Sequence, residues 1–404
     1  MRQQSSNNHL LFRALQQVEF GHLTMISPEG EQREFSGTSN GPVAHWKLYD
    51  QRVLSEVVAR GEIGFAESYI EMRWDSDDLV QLITFFLLNS PSLERYFHGK
   101  PLHSLSLLFS YWLSLNSLSG SRRNIKRHYD LGNDFYSLWL DPSMTYSCAL
   151  FEAHSDRSLE DAQHAKYQRI LNKLRAKPGD HILEIGCGWG GFAEVAAQSG
   201  SRVTAITLSK EQADYARERI RRQGLDKLVV VQLNDYREIE GTYDHIVSIG
   251  MFEHVGRRYW PSYFRTLRKL LSRGGKAMVQ TITLDDDLFE RLGNTTGFIE
   301  KYIFPGGFLA SKRRFCEAVA QAGLTLHDLY PFGQDYVRTL ACWSERFEAQ
   351  LDKVKAMGYD AQFIRMWRFY LASCIAAFAS NRTDVMQVEI THKSDGAMSV
   401  PSSG

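Results

Sequence analysis

The chain has 404 residues, 43% hydrophobic and 23% charged, with 47 Lys and Arg balanced by 47 Asp and Glu. This composition excludes a disordered chain, and the zero net charge argues against nucleic acid as a partner. The length favours two compact regions over a single core. The five cysteines, Cys148, Cys187, Cys316, Cys342 and Cys374, are scattered without a CxxC pair, so neither a zinc site nor a redox centre is expected and a reducing, cytoplasmic setting fits. The start, MRQQSSNNHL, lacks the features of a secretory signal. Nowhere do about twenty apolar residues run together, so the expectation is a protein neither exported nor membrane-spanning.

In chain order, residues 1–120 read as a small, mainly helical N-terminal domain after an irregular, polar start. LYDQRVLSEVVARGEIGFAESYIEMRW and DDLVQLITFFLLNSP both carry apolar residues at helical spacing. HSLSLLFSYWLSLNSLSG and the basic stretch from Ser121 to Arg127 then form a hinge. This segment has two readings: a helix packed between domains, or an apolar face with a basic cluster seated on an anionic bilayer. Residues 121–390 read as the catalytic domain and 391–404 as a flexible tail. From about residue 165, HILEIG, RVTAITL, KLVVVQLNDY, YDHIVSIGMF and KAMVQTIT alternate with helices, which predicts an α/β fold with a mostly parallel, Rossmann-like sheet.

The sharpest local signal is LEIGCGWGG, a strand that ends in an acid and breaks into glycines before a helix. A lone glycine pattern leaves nicotinamide, flavin and S-adenosylmethionine (SAM) open. The ExGxGxG spacing of Glu184, Gly186, Gly188 and Gly190 is the one typical of SAM methyltransferases. Thr207 and Gln212 stand where a ribose would be held, and Asp235 and Tyr236 where an adenine amine and ring would be met.

The order and separation of HYDLGNDFYSLWLDPSMTYSCALF, ILEIGCGWGGFA, ITLSKEQ, NDYREI, IVSIGMFEHVG, KYIFPGG and GQDYVRTLACW resemble the cyclopropane-fatty-acyl-phospholipid synthase family, which includes the mycolic acid cyclopropane synthases. The resemblance implies a SAM-dependent C-methyltransferase acting on the double bonds of unsaturated acyl chains in membrane phospholipids. It implies a protein peripheral to the inner face of the membrane, working in some relatives as a homodimer. It also implies SAM contacts at Tyr146 and Ser147, and a bicarbonate ion, acting as base, held by Cys148, Glu253 and Tyr336. His254 is read either as a partner that orients Glu253 or as a group with direct chemistry.

One position departs from the pattern. Where the synthases carry a further bicarbonate-holding histidine, this chain has Gln280. An amide donates a hydrogen bond but carries neither a proton to exchange nor a positive charge. Ring closure and methyl or methylene branching therefore both stand as outcomes, with small-amine N-methylation as the reading from a different substrate class.

Overall fold

The computed structural model describes residues 10–97, 131–152, 156–292 and 297–393. The hinge segment with its basic cluster, the first three residues of the HYDLGND block and all but the start of the tail lie outside them. The chain forms two compact units, and their division is more interwoven than a cut after residue 120: the first unit combines the N-terminal stretch to residue 114 with Leu292–Pro305 and Tyr336–Thr383.

The first unit is not simply helical. The polar start forms strands β1 (Phe20–Ile26), β2 (Gln32–Ser36) and β3 (Ser39–Leu48), which join β4 (Trp74–Asp75) in the order β2-β1-β3-β4. The cause is visible in β3, where Pro42, Ala44, Trp46 and Leu48 are buried and the residues between them exposed, the period-two pattern of a half-buried strand. The two expected helical stretches do form helices, Arg52–Ile70 and Leu79–Leu88, the first broken at Gly61 (φ 55°, ψ −135°). The later helix Ala361–Ala379 belongs to this unit as well. Its Phe369 meets Phe65 and Tyr69, while Phe65 stacks on Trp74 at 4.3 Å. The Arg365 guanidinium lies 3.7 Å from the centre of the Tyr69 ring, donates to the carbonyls of Tyr69 and Trp74, and pairs with Asp75 at 3.3 Å.

The second unit is built on the expected parallel sheet. Strands β5 (His181–Ile185), β6 (Arg202–Thr207), β7 (Val229–Leu233), β8 (Tyr243–Ile249) and β9 (Leu271–Leu284) pair in parallel in the order β9-β8-β5-β6-β7. β10 (Ala310–Ser311) adds to β9, and two strands not foreseen, β11 (Leu324–Pro331) and β12 (Thr383–His392), extend the sheet beyond β9 as β11-β12-β9. β12 therefore runs past the start of the stretch read as tail. Burial alternates across the sheet: Ile182, Val203 and Val247 pack with Phe192 on one side, and Leu183, Ile185 and Ile246 with Phe264 on the other. This explains why the strands read as continuous apolar runs. Serine caps start the helices that matter for the site: Ser158 accepts from Asp161 N–H, and Ser209 from Gln212 N–H. Among the described residues no helix is long and apolar enough to cross a membrane.

Trp74 is fully buried, with its indole N–H donating at 3.0 Å to Phe65 O and to Ser68 Oγ. Trp74→Ala is expected to lower stability by about 3–5 kcal/mol, measured by urea unfolding followed by tryptophan fluorescence.

Candidate active site

β5 ends at Ile185 and the chain turns through Gly186 (φ +84°) and Gly188 (φ +52°) into the helix Gly191–Gln198. The N–H groups of Gly186 and Cys187 both donate to Ile206 O at 2.9 Å, tying the turn to the end of β6. Around it lies a cavity lined by the ends of β5, β6, β7 and β8 and by the 144–147 segment. Of the residues expected to bind cofactor, Tyr146, Ser147, Glu184, Gly186, Gly188, Thr207, Gln212, Asp235 and Tyr236 line it. Gly190 does not. A Cβ there would stand 3.1 Å from the Ala216 Cβ, and φ is +84°, so this glycine permits close packing against the helix Lys210–Arg222 while Gly191 faces the cavity.

The lining is polar at two places and aromatic at a third. Thr207 Oγ1 donates to Gln212 Oε1 at 2.9 Å, so the two residues act as one hydroxyl-amide pair. Asp235, fully buried, is gripped by Arg237, Nε to Oδ1 at 2.8 Å and Nη2 to Oδ2 at 2.6 Å. Arg237 also lines the cavity and was not foreseen, although its adjacency in the DYR triplet was legible. Tyr146 packs against Tyr136 and Trp139, and Tyr136 against Trp189, whose indole N–H donates to Asn133 Oδ1 at 2.7 Å. Aromatic faces at such a wall suit a cationic ligand.

Two buried charges govern this end of the unit. Burial pushes the Glu184 carboxyl up to about 8, against the pull of Arg219, the Ala193 N–H and Lys166, and its Oε2 has no hydrogen-bond partner. Lys166, fully buried, donates to Ser147 Oγ at 2.7 Å and Gln163 Oε1 at 2.6 Å; burial pushes its ammonium down to about 7, against the pull of Cys148, Asp141 and Glu184. Gln163 Nε2 in turn donates to Ser147 O at 2.9 Å. Helix Leu159–Leu174 thus holds the Tyr146-Ser147 segment through one lysine and one glutamine, neither of which the sequence reading singled out.

Cys148, Glu253 and Gln280 are all buried; Cys148 and Glu253 adjoin the lining residues Ser147 and His254 in the chain, and Gln280 O accepts from the N–H of the lining residue Gly250. Gln280, on β9, donates to Cys148 O at 3.4 Å, and Glu253 Oε1 accepts from Ile282 N–H, two residues further along β9, at 2.7 Å. Cys148 is fully buried, its thiol 3.2 Å from Ala149 O. Burial pushes Glu253 up to about 7, opposed by hydrogen bonds from the Ile282 and Glu253 backbone and from Thr281, and its Oε2 is unpartnered. His254 lines the cavity and is pushed down to about 4 by burial, which leaves it a neutral imidazole at pH 7. Tyr336 is carried by the first unit, where it packs against Trp343 and Phe378.

The raised carboxyls set a sign for pH dependence. Glu184 and Glu253 bind protons more tightly folded than unfolded, where the ordinary value is 4.5, so their contribution is present below pH 4.5 and lost as pH rises through about 7 to 8. Glu184→Gln is expected to flatten the fall in Tm between pH 4.5 and 8, followed by thermal unfolding in a buffer series; an unchanged slope would contradict the assignment.

The fit to SAM is direct. A glycine turn open at Gly188, a hydroxyl-amide pair, a buried acid with a free oxygen and an aromatic wall match a ligand with a ribose, an amino group and a cationic sulfonium. Comparison with known proteins agrees. A family model described as mycolic acid cyclopropane synthetase matches residues 116–388. A tuberculostearic acid methyltransferase of Mycobacterium tuberculosis is 38% identical over 335 residues, 81% of this chain and 78% of that one. A cyclopropane-fatty-acyl-phospholipid synthase of Escherichia coli is 37% identical over 340 residues, 84% of each chain. A mycolic acid cyclopropane synthase crystallised with SAH and CTAB superposes with a TM-score of 0.62 at 31% identity, covering 67% of this chain and 97% of that one. A coclaurine N-methyltransferase, at 22% identity and a TM-score of 0.63, shares the fold. With the cavity built for SAM and the match extending over most of its length, the chain belongs to the mycolic acid cyclopropane synthetase family of SAM-dependent methyltransferases.

Proposed function

We propose that the protein methylates the double bonds of unsaturated acyl chains in membrane phospholipids, yielding a cyclopropane ring or a methyl or methylene branch. The observation that carries this reading is the cluster of Cys148, Glu253 and Gln280 beside the SAM cavity, in a chain whose relatives include a fatty-acyl-phospholipid synthase. SAM, when bound, supplies the electrophilic methyl group. Tyr146, Ser147, Glu184 and the glycine turn would hold its amino-acid end, Thr207 and Gln212 its ribose, and Asp235 and Tyr236 its adenine.

An isolated double bond is a weak nucleophile, so the protein's contribution is to hold it dry and aligned against the methyl group. The charge that forms on the acyl chain ends with loss of a proton. A bicarbonate ion, when bound, would supply a base for that proton, and Cys148, Glu253 and Gln280 are the residues that would hold it. Glu253 in its acid form donates from Oε2, its free oxygen, and Gln280 from its amide, so both favour an anion. Gln280 brings no positive charge, which weakens that hold and leaves the choice between ring and branch to the placement of the base. The first unit is assigned to lipid contact, with peripheral attachment to the inner membrane face and a homodimer as the working form.

Purified protein incubated with methyl-labelled SAM and dioleoylphosphatidylglycerol vesicles is expected to label fatty esters. By mass spectrometry, a gain of CH2 with loss of the olefin reports the ring, and a retained olefin reports the branch; label found only in water-soluble amines sinks the lipid assignment. Cys148→Ala and Glu253→Gln are expected to cut labelling at least a hundredfold, and full turnover in either would remove that residue from the site. Lys166→Met is expected to weaken SAH binding about tenfold or more in calorimetry, because Ser147 loses a charged donor.

A further inference from the structure

Gln280 is not an isolated amide. Its Oε1 accepts from Gln387 Nε2 at 3.0 Å, and Gln387 Oε1 accepts from Arg169 Nη1 at 2.6 Å. Both glutamines are buried, 2% and 1% exposed. Arg169 is itself fixed, donating to Asp328 at 3.1 Å and lying 4.0 Å from the centre of the Tyr330 ring; Tyr330 is the register partner of Gln387 across β11 and β12.

The chemistry of the three groups sets a direction. A guanidinium only donates, so the Gln387 atom facing Arg169 is its oxygen. The Gln387 NH2 then faces Gln280 and requires an oxygen there. This leaves the Gln280 NH2 on the side of Cys148, where it reaches the Cys148 carbonyl at 3.4 Å. Each amide has two orientations of nearly equal shape, and the arginine selects one for both.

We propose that Arg169 and Gln387 are positioning residues that fix residue 280 as a hydrogen-bond donor toward the Cys148 side of the site. The inference rests on the placement of Gln280 in the reacting centre and adds what determines its polarity. A donor on that side is what a bound anion requires, and the relay supplies it without any charge at position 280.

Gln387→Glu separates polarity from packing. The new carboxylate keeps the size of the side chain and pairs with Arg169, but it no longer donates. Gln280 must then turn its NH2 toward residue 387 and its oxygen toward the Cys148 carbonyl. The expected result is a Tm at or above wild type, unchanged SAH affinity by calorimetry, and turnover on the labelled-vesicle assay reduced at least tenfold. Adding Gln280→His to Gln387→Glu is expected to recover at least half the lost turnover, since an imidazole held by the introduced carboxylate carries a proton on each nitrogen and donates both ways. Wild-type turnover in Gln387→Glu, or a double variant no better than the single, would overturn the relay. The same cycle is read in Tm without lipid. A wild type inactive on vesicles would defeat the acyl-chain assignment, while the relay would then stand on non-additive Tm shifts for positions 280 and 387 and fall on strictly additive ones.

Discussion

Burial of ionisable groups in one dry unit is the constraint from which the rest of the site follows. Lys166, Glu184 and Glu253 are all withdrawn from water, and all are displaced toward their neutral forms. A protein tolerates such displacement where the groups are held by hydrogen bonds from rigid elements. Here the holders are the helix Leu159–Leu174, the first turn of Gly191–Gln198, and the end of β9. The same dryness that costs stability protects a reactive cation from water, so the electrostatics of the fold and the chemistry proposed for it make one demand.

The sheet explains how residues so far apart in sequence share one environment. Loops at the carboxyl ends of parallel strands carry ligands on this kind of fold. β5, β6, β7 and β8 end at Ile185, Thr207, Leu233 and Ile249, and the cavity lining is drawn from just beyond each of them. β9 continues further and supplies Gln280 and the Ile282 N–H that holds Glu253.

Much of this was legible from sequence because it is local. Apolar runs marked β5 to β9, and the glycine turn followed a strand as its spacing required. What was missed depends on distant pairing. Nothing near Lys166 in sequence shows that Ser147 will lie 2.7 Å from it, and Arg169 and Gln387 are 218 positions apart. The sheet of β1 to β3 was missed for another reason: polar residues outnumber apolar ones along it, so its alternation is masked unless only one face is counted. Gly190 is a motif glycine whose positive φ sets it against Ala216 while its neighbour Gly191 faces the cavity.

The position of β12 has a consequence for how the chain matures. β12 lies between β9 and β11, both made earlier in synthesis. Until residues 383–392 leave the ribosome, β9 and β11 each present an open edge, the kind of surface that invites pairing with a stranger. Gln387, the link between Arg169 and Gln280, arrives with that same strand. The nascent polypeptide therefore joins β9 to β11 and gains the link that orients Gln280 in a single late event.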